Sequence, residues 1–321
     1  MLKYIIRRII VAIPVLIGVS VLCFIIIQMA PGDFLDQLRI NPAISKETID
    51  KMTHQFGLDK PVVEQYFMWL KSAVTGNFGY SYSYRRPVSS LIWSRAYNTF
   101  ILAITSLIFS WIIGIGLGIF SALHKYTAAD HILTVLAFIG LATPAFFLGL
   151  ILLYFAARTG TFPITGMTSV NHEHMTTIGK IVDILKHLFL PMLALGLIRL
   201  VGIMRQMRGQ LLDVMHEDYV LFAVAKGMPR NVVIYKHALR NAINPLITMF
   251  GYALASLLSG ALIIEIIFSW PGLGRLIYNA LLEQDVYLVM GSLLISSAML
   301  IGGNLVADIL LAWADPRVRL R

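Results

Sequence analysis

The chain has 321 residues, of which 58% are hydrophobic and 13% charged, and its mean hydropathy is +0.76. Soluble domains carry about 25% charged residues, so the composition argues against a soluble domain and predicts an integral membrane protein. The single cysteine, Cys23, excludes both a disulfide framework and a cysteine-based metal site. The net charge of +9 is explained by basic cytosolic loops, so a lipid membrane is expected as partner and nucleic acid is not.

Five runs without Asp, Glu, Lys or Arg reach the length of about 20 residues that a membrane-spanning helix needs. A sixth candidate, about His187–Met204, is interrupted by Arg199, and a half-buried surface helix is the alternative for it. The first run is too long for a cleaved signal peptide, whose apolar core has about 7–15 residues. The five runs are Ile9–Gly32, Ala96–Leu123, Ile132–Ala157, Asn241–Ile264 and Val286–Ala307.

The positions of the lysines and arginines favour six spans. With a cytosolic N-terminus, most basic residues outside the long segment 33–95 fall in cytosolic segments, as the positive-inside rule requires. Five spans would place the basic tail Arg317–Arg321 outside. The predicted fold class is therefore an all-α integral membrane protein with six transmembrane helices and both termini in the cytosol.

Three parts follow from this division: residues 1–32 with the first span, an outer segment 33–95, and a transmembrane core 96–321 with a cytosolic loop of about 205–245. In the outer segment, "KETIDKMTHQFGL" and "PVVEQYFMWLKSAV" show helical spacing of apolar residues, and "TGNFGYSYSYRRP" predicts turns. We expect a small helical cap here, either a lid on the bundle or a contact for an external partner.

The third run contains Thr143 and Pro144. A proline inside a membrane helix bends it and frees a backbone carbonyl. Tight packing of neighbouring helices is the ordinary role of such a bend. It is also the ordinary role of the glycines Gly114, Gly116, Gly118, Gly302 and Gly303. A bend that lines a pathway is the functional alternative for Thr143 and Pro144.

The cytosolic segment "DYVLFAVAKGMPRNVVIYKHALRNAIN" predicts two short helices. Asp218 is a suitable N-cap, and Lys226 in the last turn suits the helix dipole. Gly227 suits the left-handed position after a helix, and Pro229 suits the first turn of the next one.

The first of these helices, Tyr219 to Ala225, is apolar on every face and only about two turns long. It is not stable alone in water, and a helix that is apolar all round must be buried. Either it folds back on its own bundle, or it inserts into a groove on a cytosolic partner.

Motifs for chemistry are absent from the sequence, so no catalytic residue is predicted and the chain is not expected to be an enzyme. It lacks the phosphate loop G-x-x-x-x-G-K-[ST], H-E-x-x-H, G-x-S-x-G and the T-V-G-Y-G filter. "HEH" at His172–His174 is expected to be solvated, so no metal site is predicted. The few charges in or near predicted spans, Arg199, Glu265 and Asp308, do not indicate a proton relay. Any transport of a solute through this chain must therefore be driven by energy from another protein, or it is passive.

Several stretches together carry a family resemblance. They are "YIIRRIIVAIPVLIGVSVL" with "APGD", "GNFGYSYSYRRPVSSLI", "LATPAFFLG", "LPMLALGLI", "DYVLFAVAKGMPRNVVIYKHALRNAINPLIT", "EIIFSWPGLGRLIYNA" and "DPRVR". Over essentially its whole length the chain resembles the first-permease, or B-type, inner-membrane subunit of a binding-protein-dependent ABC importer of the dipeptide/oligopeptide/nickel family. It departs from the general importer motif E-A-A-x3-G. Counted back from Gly227, Leu221 and Phe222 replace the first two residues, and of the leading E-A-A only Ala223 matches.

The resemblance implies that Asp218 to Arg230 forms a coupling helix inserted into a cleft on an ATPase subunit. It implies a second homologous permease, two ABC ATPase subunits that hold ATP and Mg²⁺, and an extracytoplasmic substrate-binding protein. It places the complex in a bacterial or archaeal cytoplasmic membrane, and this chain itself would bind no cofactor. The implied ATPase-coupling positions are Asp218, Tyr219, Ala223, Ala225, Lys226, Gly227, Met228 and Arg230.

The substrate is left open, because the external binding protein does most of the selecting in this family. Peptides are the first choice, and nickel and oligosaccharides are the alternatives within it. A self-contained membrane enzyme or channel is the alternative of a different class.

The last outer loop contains a turn at Trp270, Pro271 and Gly272, followed by a short amphipathic helix in "GRLIYNALL". The hypothesis is a gate or a docking element for the binding protein. The alternative is an interfacial anchor through Trp270.

Overall fold

The computed structural model describes residues 2–29, 39, 45–55, 59–255 and 261–314. Regular structure in these residues is helical except for one hairpin of β1 (Tyr80–Ser81) and β2 (Arg86–Pro87) and two irregular turns, a 3-10 turn (His172–His174) and a π-helical turn (Val233–Ala238). The helices are α1 (Leu2–Met29), α2 (Lys46–Gln55), α3 (Val62–Val74), α4 (Val88–Leu123), α5 (Ala128–Ala142), α6 (Ala145–Thr159), α7 (Thr177–Met215), α8 (Asp218–Ala225), α9 (Arg230–Val232), α10 (Leu239–Ala242), α11 (Asn244–Ala255), α12 (Leu262–Ile267), α13 (Leu273–Leu282) and α14 (Val286–Ala314).

Among the described residues, four helices are long and apolar enough to cross a membrane: α1, α4, α7 and α14. The pair α5 and α6 passes the same test together but is bent by 107°. Helix α7 contains the sixth candidate, about His187–Met204, which Arg199 interrupts. The structure therefore favours a membrane span over a half-buried surface helix for this segment. The predicted run Asn241–Ile264 includes residues 256–260, which lie outside the described residues. The stretch "APGD" and the basic tail also lie outside them. Six spans and cytosolic termini therefore stay a prediction.

Contacts between backbone atoms group the chain into two compact units. The first comprises Met1–Thr99 and Pro271–Ile301, and the second comprises Phe100–Trp270 and Gly302–Arg321. The first unit thus combines the predicted outer segment with the last outer loop and most of the last long helix. Helices α4 and α14 each contribute residues to both units.

The predicted outer segment is helical over Lys46–Gln55 and Val62–Val74. Helix α3 follows Pro61, whose φ of −54° suits a helix start, and Gly76, at φ +82°, follows its end. Trp69 of α3 is buried in the core of the first unit together with residues of α4, α13 and α14. The stretch predicted as turns instead contains the β1–β2 hairpin, with Tyr80 opposite Pro87.

The second unit is built around α7, the longest helix. Glycines of α4 allow close approach: a Cβ at Gly118 would lie 2.6 Å from the Cβ of Met207, and one at Gly114 would lie 3.0 Å from Ile203. These contacts confirm tight packing at two of the predicted glycines. Among the described residues, a Cβ at Gly116 or Gly302 would meet nothing within 4 Å, so neither of them packs closely against a described helix.

Candidate functional site

Helix α8 begins one residue earlier than the sequence predicted. Its N-cap is Glu217, with ψ of 143°, and Asp218 is the first helical residue, so the prediction of Asp218 as N-cap is wrong. Neither boundary residue makes a side-chain capping bond. The Asp218 carboxylate in the first turn still interacts favourably with the helix dipole.

The end of α8 agrees with the sequence prediction. Gly227 lies in the left-handed region at φ +74°. Its N–H donates to the Val224 carbonyl at 2.9 Å, and the Met228 N–H donates to the Ala223 carbonyl at 3.3 Å. This pair of bonds is a Schellman motif, and Met228 packs in the same hydrophobic cluster as Ala223. The chain therefore leaves α8 in one defined direction.

The two faces of α8 differ. Val220 and Ala223 are buried in the hydrophobic core of the second unit, so this face folds back on the protein's own bundle. The opposite side chains are exposed: Tyr219 by 41%, Leu221 by 51%, Phe222 by 61% and Val224 by 56%. We call these four residues the α8 surface. The alternative of folding back on the bundle is confirmed for the face with Val220 and Ala223, and insertion of the other face into a partner stays a prediction.

The predicted coupling positions are divided between these faces. Ala223 is buried, Met228 is half-buried, and the other six are exposed, Lys226 with its Nζ 4.5 Å above the ring of Phe222. Leu221, Phe222 and Val224 are not among the predicted contact positions. The available signal was that these residues are apolar and are predicted to lie outside the bilayer. The structure was needed to show that Ala223 lies on the anchored face and that these three residues do not.

The chain after the elbow is anchored in the same core. Pro229, at φ −55°, directly precedes α9 rather than lying in its first turn. Helix α9 leads through the π-helical turn into α10, whereas the sequence predicted one regular helix. Val233 and Ala238 of the π-helical turn are buried in the cluster that also contains Val220 and Ala223. Both arms of the elbow therefore share one packed core.

That core extends into the long helices. It includes Met207 and Leu211 of α7, Trp111 of α4 and Leu246 of α11. Trp111 and Phe250 make an edge-to-face contact with their ring centroids 4.9 Å apart. Helix α8 is therefore packed in one core with α7, α4 and α11.

An ion pair near the same end of α7 was not predicted. Arg208 donates through Nε to Asp130 Oδ1 at 2.9 Å and through Nη2 to Oδ2 at 2.8 Å. The Ser121 hydroxyl and the Tyr126 N–H also donate to this buried carboxylate. The bidentate pair joins the end of α4, the start of α5 and α7. Arg208 and Asp130 are 78 residues apart, so no local pattern reveals the contact.

The break between α5 and α6 lies at Thr143 and Pro144, the two predicted pathway residues. Pro144 occupies the N-cap position of α6, and the Thr143 hydroxyl donates to the Ile139 carbonyl at 2.7 Å. Thr143 is half-buried and Pro144 is exposed. The sequence predicted a bend, and the 107° angle makes it a break between two separate helices. Lining of a pathway by these residues stays a prediction.

Trp270 is fully buried in the second unit, where it contacts Leu102 and Leu188. Its indole therefore does not reach lipid headgroups or a docking partner, so the interfacial-anchor alternative is wrong. The first unit contains Pro271, which is half-buried, and Gly272, which is buried.

A polar pocket of about 160 Å³ lies beside Pro271 and Gly272 in the first unit. The Asn98 side-chain amide donates to the Pro271 carbonyl at 2.9 Å, which ties the turn to α4. Two guanidinium side chains, Arg95 from α4 and Arg275 from α13, line the pocket together with Tyr84, Pro271, Gly272, Leu276 and Asn279. The two arginines are not among the predicted site residues, and they lie 180 residues apart in the sequence.

The "HEH" stretch forms the 3-10 turn. The His172 imidazole lies 2.8 Å from Asp183 Oδ2, and the Ser169 hydroxyl also donates to this carboxylate. His172 therefore takes part in a local hydrogen-bond network. In the part of the chain that the structure describes, no group of three or more metal-ligating side chains is present.

Comparison with known proteins gives a consistent result. Residues 114–320 match the family "Binding-protein-dependent transport system inner membrane component", and residues 1–103 match its N-terminal family. The chain is 40% identical to the oligopeptide transport system permease protein AppB of Bacillus subtilis, with 99% of each chain covered. It is 34% identical to the dipeptide transport system permease protein DppB of Escherichia coli K12, again over 99% of each. It is 36% identical to the glutathione transport system permease protein GsiC of Escherichia coli O1:K1, over the full length of both.

Proposed function

Because this chain belongs to the binding-protein-dependent transport system inner membrane component family, we propose that it is the B-type permease subunit of an ATP-driven peptide importer in a bacterial inner membrane. The peptide substrate is supported by the relatives, whose names refer to oligopeptides, dipeptides and glutathione. None of the three relatives compared above is named for nickel or oligosaccharides, so peptides are preferred over both.

The proposed complex contains this subunit, a second homologous permease, two ABC ATPases and an extracytoplasmic substrate-binding protein. ATP and Mg²⁺ bind to the ATPases, and this chain catalyses no reaction. Six spans with both termini in the cytosol are part of the proposal. They are supported by the charge distribution and by the four long helices with the bent pair α5 and α6.

The observation that carries the proposal is the two-faced helix α8. One face is anchored by Val220 and Ala223, and the α8 surface opposite is apolar and exposed. An exposed apolar patch of this kind marks a protein interaction site. We propose that the α8 surface docks in a cleft on an ATPase subunit, where Lys226 and Arg230 lie at the rim. Ala223 supports the surface from behind and does not contact the partner.

The proposed mechanism follows from this anchoring. ATP-driven closure of the two ATPases displaces the docked α8. Because α8, the Gly227–Pro229 elbow and the π-helical turn share one core with α7 and α11, they move as a packed body. The displacement therefore reaches the spanning helices and changes the side to which the pathway between the two permeases opens.

The direct test is purification of the complex from membranes in mild detergent. Replacement of Leu221 and Phe222 by Asp should remove the ATPases while the second permease is retained. The matched control is Val170→Asp, a fully exposed apolar residue in a loop on the predicted outer side. Wild-type chain that purifies without an ATPase, or a double variant that keeps it, would contradict the proposal.

A further inference from the structure

Arg199 is an isolated charge within the longest helix of the second unit. Between His187 and Arg205 the α7 sequence contains no other ionisable residue. At 1.5 Å per residue, Arg199 lies about 18 Å along the helix from His187 and about 9 Å from Arg205. Both distances place it within a hydrocarbon layer about 30 Å thick. Within the described residues, no hydrogen bond or ion pair reaches its guanidinium group.

Two faces of α7 near Arg199 are occupied by neighbouring helices. Toward α4, a Cβ at Gly196 would lie 2.7 Å from Phe109, and Ile203 and Met207 contact the α4 glycines. Toward α5, Val201 lies 3.0 Å from the position of a Cβ at Gly140. At 100° per residue, Arg199 lies on neither of these faces.

The third face of α7 is polar, and it is open at Gly202. Arg199, Gly202 and Gln206 follow one another at helical spacing, and Gln210 continues the same line toward the predicted cytosolic end. Gly202 is exposed, and a Cβ there would meet no atom of the described residues within 4 Å. Arg199, Gln206 and Gln210 are each half-buried within the chain. We call these four residues the α7 polar stripe.

Contact with lipid does not suit the α7 polar stripe. Charged and amide side chains are costly in hydrocarbon, and in membrane helices they face a bundle interior or a water-filled cavity. Side chains of a helix tilt toward its N-terminus, which is the predicted outer end of α7. The Arg199 side chain is therefore directed toward the middle of the membrane and away from the nearer cytosolic surface, so it is poorly placed to reach that surface.

We propose that the α7 polar stripe lines the inner half of the translocation pathway and that Arg199 binds the C-terminal carboxylate of the peptide in transit. This inference rests on the proposed peptide-import function. A free C-terminal carboxylate is shared by peptides whatever their side chains, and guanidinium groups bind carboxylates in a bidentate geometry. A single such contact attracts the peptide into the pathway and still allows its release, as conduction through a pore requires.

The first test measures water access and needs no transport activity. Cys23→Ser removes the only cysteine, and single cysteines are then placed at Arg199, Gly202 and Gln206 in the full complex. In inverted membrane vesicles, a charged, membrane-impermeant thiol reagent should modify all three. Cysteines at Ile26, an exposed apolar residue of α1, and at the buried Val201 are the slow-reacting controls. Three stripe cysteines as unreactive as that at Ile26 would overturn the pathway assignment.

The second test measures recognition of the carboxylate. The purified complex in liposomes is given a peptide with a free C-terminus or the same peptide amidated, both at saturating binding-protein occupancy. Arg199→Met should lower uptake of the free peptide about tenfold, the effect of losing one charged hydrogen-bonded pair, and should leave the amidated peptide unchanged. Arg199→Lys should retain part of the preference. Arg205→Met, whose side chain lies over Phe138 on another face, is the matched control.

The outcomes separate this inference from the proposed function. If the wild-type complex imports no peptide with ATP, the proposed function fails, whatever the labelling result. If wild type imports both peptides and Arg199→Met imports both equally well, the role of Arg199 is refuted and the importer stands. If Arg199→Met does not assemble and the cysteine at Arg199 is unreactive, Arg199 pairs with a carboxylate of the second permease, which also overturns the inference.

Discussion

Helices α8 and α13 are both short and both lie outside the predicted spans, but they present different chemistry. Helix α8 exposes the apolar α8 surface on a tightly anchored base. Helix α13 buries Leu273, Leu276 and Ala280 and contributes Arg275 to a polar pocket. Apolar interfaces are typical of lasting complexes, and charged ones mainly set the rate and specificity of encounter. The comparison predicts a stable partner at α8 and a transient partner at α13.

The largest effect is expected from removing the apolar contact at α8. Burial of a Leu or Phe side chain contributes about 1.5–3 kcal/mol each, so Leu221→Asp with Phe222→Asp should weaken ATPase binding by more than about a hundredfold. Affinity of the purified ATPase for the permease pair in detergent measures this. Binding that falls instead with rising salt, with little response to the double substitution, would contradict an apolar interface.

The next effect concerns the elbow. Gly227 is left-handed at φ +74°, so Gly227→Val should cost roughly 1–2 kcal/mol locally and raise the number of ATP molecules hydrolysed per peptide imported. Gly227→Asn is the matched control, because Asn tolerates this conformation better. Wild-type coupling in the Val variant would refute the role of the elbow in transmission.

A smaller effect is expected at the pocket beside α13. Arg95→Gln with Arg275→Gln should slow stimulation of ATP hydrolysis by the binding protein several-fold, since exposed ion pairs contribute about 0.2–1 kcal/mol each. The difference from wild type should shrink at high salt, and ATPase binding should not change. Arg158→Gln, an exposed arginine at the end of α6, is the control. A salt-independent defect would indicate a structural role for the two arginines.

The smallest effect is expected at the turn before α13. Pro271→Ala with Gly272→Ala relaxes a segment that Asn98 and Thr99 hold through hydrogen bonds of 2.9 and 2.7 Å. Loss of the proline constraint is worth about 0.4–1 kcal/mol, so uptake should fall only a few-fold while the complex assembles normally. Uptake at the wild-type rate would remove the turn as a gate or docking element.

Much of this protein follows from its sequence alone. Apolar runs predict most spans, since the bilayer sets a minimum helix length. The left-handed Gly227 follows from local chemistry, because a glycine after a helix tolerates positive φ. The helices Lys46–Gln55 and Val62–Val74 of the outer segment follow from periodicity. In each case the determining interactions lie within a few residues along the chain.

Tertiary structure alone decided which face of each element is used. Helix α8 is apolar all round, so no period in its sequence separates the buried Ala223 from the exposed Phe222. Asp130 and Arg208 meet across 78 residues, and Arg95 and Arg275 line one pocket although 180 residues separate them. The full burial of Trp270 and the 107° angle after Ala142 also depend on neighbouring helices. Packing of distant segments determines these features, and a local sequence pattern contains no record of that packing.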